Sequence, residues 1–345
     1  MNDRTFVALI TLRTVAVSAA GGFAFDLFGL PAGWLMGGAL AVAIAALLGL
    51  KVAMPSWLRD TTFVLTGVSM GTNVARDSLQ LMAQWPVTLA ALVIELILIV
   101  GLTGYMLRKV FGIDRGTAYL SSFPGHLRFI MGIAAAGVGD PRQITIIQVI
   151  RILMLTTAVP IGALFLPVGT YSAQHAEPPV ALDVLALVVV ACAAVGFGFT
   201  KLRVPAGYAL GAMAAAMTAK LTGMFEGSMP GPLLVVAFVL VGALIGSRFA
   251  GISLEEFRRA AIGGAIATAM TVGITTLVTL AASGLVEMPF GQIWLGLAPG
   301  ALEGMGALGI ALGFDTAFIA AHHVARLLLL TVAIPVIAIM VRERV

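Results

Sequence analysis

The feature that most constrains this sequence is an internal duplication that extends over almost the whole chain. Residues 31–37 (PAGWLMG) correspond to residues 205–211 (PAGYALG). Further matches follow in the same order, with a spacing one residue larger: 123–125 (FPG) with 298–300 (APG), Asp140 with Asp315, Arg151 with Arg326, and Pro160 with Pro335. A match that keeps its register this far predicts two copies of one structural unit. We therefore divide the chain into a first repeat (1–169), a polar linker (170–179) and a second repeat (180–345).

Each repeat contains the same succession of apolar segments, whose length and composition predict membrane-spanning helices. They lie at about 5–28, 31–50, 60–76, 84–108, 116–138 and 142–169, and again at about 180–200, 205–224, 231–250, 260–283, 291–313 and 316–341. Most are near the ~20 residues that a helix needs to cross a hydrocarbon core of ~30 Å. Charged residues make up only 10% of the chain and the mean hydropathy is +1.06, whereas a soluble protein carries about 25% charged residues. We expect an all-α polytopic protein of the bacterial inner membrane.

The fifth segment of each repeat is broken near its middle by a Pro-Gly pair. Proline removes a backbone donor and clashes with the preceding turn, and glycine adds a hinge, so the segment is either a re-entrant hairpin or a broken spanning helix. If it is a hairpin, each repeat has five spans plus this broken helix, the second repeat is inverted, and nearly all loop Lys and Arg residues fall on one side. If it spans, these charges divide almost evenly. The positive-inside rule favours the inverted arrangement, with both termini cytoplasmic.

The two Pro-Gly breaks form the candidate solute site. Non-helical backbone inside a membrane is tolerated only where protein or a water-filled cavity satisfies its polar groups, and inverted repeats with broken helices are typical of secondary transporters. Helices that restart after the breaks direct the positive ends of their dipoles at a bound anion. The predicted substrate-binding residues are Ser122, Pro124, Gly125, His126, Arg128, Arg151, Pro299, Gly300, Glu303, His323 and Arg326. The alternative is a paired proline kink that serves packing alone.

Charged side chains inside the apolar segments suggest the class of solute. An arginine at a helix centre costs roughly 2.5–3.5 kcal/mol on insertion scales and needs an interior partner. Glu303 is the predicted partner of Arg326, whereas its counterpart in the first repeat is Arg128, which leaves Glu95 to neutralise Arg151 or Arg128. The arginines either line an anion site or cap carbonyl groups at the hairpin ends. Their excess over embedded acidic residues favours an anion such as a carboxylate.

Two groups of polar residues are candidate sites for an ion that is transported together with the solute. H⁺ and Na⁺ are both candidates for this ion. His323 aligns with Gln148, and together with Arg326 and Glu303 it could form a proton-responsive cluster, since histidine titrates near neutral pH. A hydrogen bond to a neighbouring carbonyl is the plainer alternative for this histidine. Small polar residues of the third segment would either coordinate Na⁺ or allow tight helix contact: Thr66, Ser69, Thr72 and Asn73.

Several of these motifs together resemble the AbrB-duplication membrane proteins, the AbrB family. They are the duplicated Pro-Ala-Gly starts, the FPG and APG breaks, Asp140-Pro141, and residues 322–328 (HHVARLL). The resemblance covers almost the whole chain and implies a membrane protein, and members carry the labels "ammonia monooxygenase" and "regulator". One departure concerns the first break, where Pro-Gly-Gly followed by an acidic residue is expected but His126 and Arg128 follow Pro124-Gly125. An acidic role implied by the family can therefore be carried over to Glu303 only.

These observations favour a transporter that moves a small solute by alternating access at the two breaks. The alternative is a membrane sensor or regulator that affects gene expression through a partner protein. An enzyme is not expected, because the histidines have no metal-ligand spacing, and no cofactor is implied. The Lys and Arg residues are scattered and form no basic arm, so nucleic acid is not an expected partner. The expected partners are the lipid bilayer and the solute, and a homo-oligomer is left open.

Overall fold

The structure is a computed structural model that describes residues 3–30, 32–74, 82–163, 178–204 and 206–341. The helices of the first half, numbered here in chain order, are α1 (Asp3–Leu27), α2 (Gly33–Leu47), α3 (Ser56–Thr72), α4 (Trp85–Phe111), α5 (Arg115–Ser122), α6 (Leu127–Ala135) and α7 (Pro141–Ala163). Those of the second half are α8 (Leu182–Lys201), α9 (Gly207–Leu221), α10 (Gly231–Ser247), α11 (Leu254–Ser283), α12 (Phe290–Leu297), α13 (Leu302–Ala311) and α14 (Thr316–Val341).

This helix content confirms the predicted all-α polytopic membrane fold. Within the described residues, six helices are long and apolar enough to cross a membrane: Thr5–Leu27, Trp85–Phe111, Pro141–Gly162, Leu182–Lys201, Leu254–Ser283 and Thr316–Val341. The shorter helices α2, α10 and α13 are also apolar. Five spans per repeat and the inverted orientation of the second repeat stay predictions. The predicted linker lies outside the described residues except for Pro178 and Pro179.

The fifth apolar segment of each half is divided at its Pro-Gly pair. Helix α5 ends at Ser122 and α6 begins at Leu127, while α12 ends at Leu297 and α13 begins at Leu302. In both breaks the glycine N–H donates to the carbonyl two residues earlier, from Gly125 to Phe123 at 3.1 Å and from Gly300 to Ala298 at 2.8 Å. This i→i+2 bond closes a three-residue turn that ends the helix. The breaks therefore expose helix-terminal carbonyl groups that need other donors.

The chain forms two compact units. The first unit comprises Met1–Met82, Thr156–Gly251 and Leu302–Ala320, and thus holds α1–α3, α8–α10, α13 and one end each of α7 and α14. In it α2 packs on α10, and α3 packs on α9. A Cβ atom at Gly67 of α3 would lie 2.3 Å from the Ala209 carbonyl oxygen, and one at Gly242 of α10 would lie 2.9 Å from that of Leu35. Small residues therefore let these backbones approach closely.

The polar residues of α3 make hydrogen bonds within their own helix. Thr66, Ser69 and Thr72 each donate their hydroxyl hydrogen to a carbonyl of their own helix, at 2.8–3.1 Å. Asn73 likewise donates to the Ser69 carbonyl at 2.7 Å. These bonds use the side-chain hydrogens and leave the hydroxyl oxygens able to accept, so the Na⁺ interpretation and the tight-packing interpretation of the third segment both stay predictions.

The second unit comprises Ala83–Leu155, Ile252–Ala301 and Ala321–Val345, and holds α4–α6, α11, α12 and most of α7 and α14. Helix α4 runs continuously through a π-helical segment, Ile99–Thr103, and packs on α11. Helix α11 begins with a capping box, in which Ser253 and Glu256 satisfy each other's backbone N–H groups. An exposed ion pair joins Glu256 to Arg142 of α7 at 2.9 Å.

Two basic residues near the ends of apolar segments have structural roles in the first unit. Lys220 is a buried residue in the last turn of α9, and its Nζ donates to the Thr72 carbonyl at 2.5 Å. Arg248 caps the end of α10 and forms a half-buried ion pair. Their charges neutralise helix C-termini or a partner carboxylate, so they carry less topological information than an exposed loop residue.

Candidate functional site

Arg151 holds the end of the first break. Its side chain is buried in α7, where the Nη atoms donate to the carbonyl groups of Ser121 at 3.3 Å and Phe123 at 2.9 Å. One turn earlier, Gln148 donates to the Leu120 carbonyl at 3.3 Å. The side chain of Ser122 is satisfied within α5, since its hydroxyl donates to the Ala118 carbonyl at 2.8 Å. The end of α5 is therefore capped by a guanidinium from the sixth segment of the same half.

Arg326 does the same at the second break. It is the corresponding residue of α14 and is 2% exposed. Its Nη atoms donate to the carbonyl groups of Ala298 and Gly300, the latter at 2.6 Å. Pro299, between these acceptors, is buried. A cation at a helix C-terminus is favoured by the exposed carbonyls and by the helix dipole, so the same capping device occurs in both halves.

Both breaks contact α14, at the adjacent residues Arg326 and Leu327. While Arg326 binds the second break, the carbonyl of Leu327 is 2.8 Å from Nε2 of His126, the residue that follows Pro124-Gly125. His126 adopts a left-handed backbone conformation, with φ of 56°, as the N-cap of α6. The structure thus brings three of the predicted site residues, His126, Arg151 and Arg326, together in the second unit. That they bind a solute stays a prediction.

The two guanidinium groups retain unused donors. Arg151 and Arg326 lie close enough for their charges to interact. Within the described residues, the Nε atoms of both are buried without a hydrogen-bond partner. A buried donor without a partner costs about 1–3 kcal/mol, and such groups in native structures call for an explanation such as an ion or water. Capping therefore uses only part of the binding capacity of each arginine.

Glu95 is a buried acidic residue of the same unit. It is wholly buried on α4, and its charge interacts with that of Arg326. One carboxylate oxygen accepts a hydrogen bond from Thr275 of α11. Its other oxygen, Oε2, has no hydrogen-bond partner in the part of the chain that the structure describes. Thr275 was not predicted, although a stripe of buried threonines at helical spacing, Thr268, Thr271, Thr275 and Thr279, marks this face of α11.

The two histidines of α14 are wholly buried. Nε2 of His322 is 2.7 Å from the Thr88 hydroxyl of α4, and the ring of Trp85 stands edge-on to the His322 ring. Thr88 and Glu95 are seven residues apart and therefore share one face of α4. The predicted His323 lies beside His322 in sequence. Among the described residues, no group of three His, Cys, Asp or Glu side chains could hold a metal ion.

Glu303 has a different ion partner from the one expected. Its carboxylate binds Arg248 of α10 at 2.5 Å, within the first unit, whereas Arg326 binds backbone carbonyls. The predicted Glu303–Arg326 pair is therefore wrong. The Arg248–Glu303 pair could not be read from the sequence, because Arg248 falls at the end of an apolar segment, where it resembles an ordinary loop charge. For Arg128 the structure describes only the backbone, which lies in the first turn of α6.

Comparison with known proteins decides the family. The family described as "Transition state regulatory protein AbrB" matches residues 34–342. The chain belongs to the AbrB family. Among its relatives, "Uncharacterized protein YhjN" of Bacillus subtilis is 24% identical over 353 residues, which covers 93% of this chain and 90% of the relative. "Putative regulator AbrB" of Escherichia coli is 24% identical over 319 residues, with 90% of each chain covered. The resemblance seen in the motifs is thereby confirmed.

Proposed function

We propose that this AbrB-family protein binds a small anion, such as a carboxylate, at its two Pro-Gly breaks and moves it across the bacterial inner membrane by alternating access. The observation that carries the proposal is the pair of buried arginines, Arg151 and Arg326, each with an unused Nε–H donor. Glu95 is the acidic residue whose charge interacts with this pair, through Arg326. The excess of positive charge in an enclosed site matches an anionic ligand.

The position of these arginines supports transport in particular. Each guanidinium holds the end of a broken helix, so a ligand that engages it changes the contacts of that break. Broken helices that contact the solute are the parts on which alternating access depends in many secondary transporters. In this proposal both termini are cytoplasmic, the lipid bilayer and the solute are the partners, and the protein has neither a catalytic residue nor a cofactor.

Ligand-induced thermal stabilisation of the detergent-purified protein tests the binding step. The probes are acetate, succinate, citrate and sulfate, with choline and glycerol as cationic and neutral comparisons. We expect at least one anion to raise the melting temperature of the wild type. Arg326→Lys and Arg151→Lys keep a charge near the carbonyls but lose the Nε–H and the fork of the guanidinium, so most of that increase should be lost.

Arg142→Lys is the matched control, because Arg142 lies on the same helix as Arg151 but is exposed and paired with Glu256. It should keep the full response. Uptake of the stabilising anion into proteoliposomes then tests transport. The proposal is wrong if no anion stabilises the wild type, or if both buried-site variants respond as the wild type does.

A second candidate function is a membrane sensor that affects gene expression through a partner protein. The name of the E. coli relative and the description of the family both contain a regulatory term. The same two arginines would then detect an anion without moving it. Saturable stabilisation by an anion, with no uptake into proteoliposomes above that of empty liposomes, would favour the sensor.

A further inference from the structure

Glu95 is the least satisfied acidic group that the structure describes in the second unit. It is wholly enclosed, accepts one hydrogen bond from Thr275, and has one oxygen without a partner among the described residues. Arg326 is near enough to affect it electrostatically but donates its Nη hydrogens to the second break. Burying a carboxylate without close pairing costs far more than burying a carboxylic acid. Such a residue is suited to gain and lose a proton as its surroundings change.

The groups around Glu95 are arranged so that its charge opposes anion binding. On α14 the charged or titratable side chains are Arg326, the buried His323 one turn before it, and His322, which contacts Thr88 on the same face of α4 as Glu95. The charge of Arg151 on α7 interacts with that of Arg326. Helix α12 contributes no titratable side chain, and the charged residues of α11 are confined to its first turns, about five turns from Thr275.

The charge state of Glu95 therefore controls how much positive field remains for a ligand. When ionised, Glu95 is an internal counter-ion for Arg326 and repels a second anion. When protonated, it no longer offsets the charge of Arg326, so an anion binds more tightly. By linkage the converse also holds, because a bound anion must favour proton binding by the same factor.

We infer that Glu95 is the proton site of this protein, and that a proton on Glu95 and an anion at Arg151 and Arg326 bind cooperatively and cross the membrane together. This inference rests on the proposed function. It names H⁺, not Na⁺, as the coupled ion. It also assigns a single proton to the site formed by Arg151 and Arg326, because the second repeat has Met270 at the position of Glu95.

The backbone beside Glu95 also differs between the two halves. The π-helical segment Ile99–Thr103 begins four residues after Glu95, whereas α11 is described as a continuous α-helix. Single π-turns inside α-helices are frequent at functional sites, because they break the regular hydrogen-bond ladder. Glu95 thus lies one turn before an irregular stretch of α4 that its counterpart Met270 lacks.

The test compares wild type, Glu95→Gln and Glu256→Gln. Glutamine mimics the protonated acid, and Glu256 is an exposed carboxylate of the same unit that serves as the control. Infrared spectra of wild type minus Glu95→Gln should show the carbonyl stretch of a protonated carboxyl group, which disappears as pH is raised. Anion-induced stabilisation should weaken with rising pH in wild type and Glu256→Gln, but not in Glu95→Gln. The expected coupling is about 5- to 150-fold in anion affinity.

A measurement on the wild type alone guards against a variant that fails to fold. Adding sulfate or fully ionised succinate to weakly buffered protein above neutral pH should cause proton uptake. Absence of the carboxyl band, proton release, or equal pH dependence in wild type and Glu95→Gln would overturn the inference. If anions stabilise all three proteins independently of pH, the proposed anion site is supported and only the assignment of Glu95 as the proton site is wrong. If no anion stabilises the wild type, the proposed function fails and the coupling with it.

Discussion

The two units differ in how completely their buried polar groups are satisfied. In the first unit Lys220 binds a helix-terminal carbonyl, Arg248 binds Glu303, and the hydroxyls of α3 bind their own helix. In the second unit the described residues include buried polar atoms without partners, among them Glu95 Oε2 and the Nε atoms of Arg151 and Arg326. The first unit is thus built for close packing, whereas the second retains binding capacity. The difference points to the second unit as the place to look for a ligand.

The largest expected effect is the loss of a guanidinium cap in the second unit. Arg326→Leu leaves the Ala298 and Gly300 carbonyls without their donor, and each unsatisfied group costs about 1–3 kcal/mol. We expect a strong fall in melting temperature, measured in detergent without ligand. Arg142→Leu is the control and should change stability by less than about 0.5 kcal/mol, as is usual for exposed positions. Equal stability of the two variants would show that the capping contacts contribute little.

A smaller effect is expected from crowding the packed helices of the first unit. Gly67→Ala places a methyl group against the Ala209 carbonyl, which forces the backbones of α3 and α9 apart and costs about 1–3 kcal/mol. Gly273→Ala is the matched control, since a Cβ atom there meets nothing within 4 Å. It should be neutral or slightly stabilising, because alanine is the better helix former. Similar melting temperatures for the two variants would contradict the close approach.

The smallest effect concerns the Arg248–Glu303 pair. A double-mutant cycle with Arg248→Gln and Glu303→Gln should give a coupling energy of about 1 kcal/mol, because the two side chains are in direct contact but partly exposed. We expect Glu303→Gln to keep its anion-induced stabilisation. If it instead loses that response while Arg248→Gln does not, Glu303 belongs to the ligand site and the contrast between the units is less sharp.

The sequence predicted the elements that the duplication marks and missed those that it does not. The breaks and Arg151 with Arg326 occur twice, so their importance was visible without coordinates. Thr275 and the partner of Glu303 were not visible, because each depends on how helices are rotated against one another. The threonine stripe of α11 carried part of this information, but threonines also occur in such stripes for packing alone.

The glycine contacts of the first unit have a consequence for the symmetry of the chain. Gly67 meets the carbonyl of Ala209, and Gly242 meets that of Leu35, and these two acceptors are themselves corresponding residues. A contact in which each partner offers the same patch to the other is the signature of a two-fold dimer. Within the first unit each half offers the other an equivalent glycine and an equivalent carbonyl, so this contact has the symmetry of a two-fold dimer inside one polypeptide.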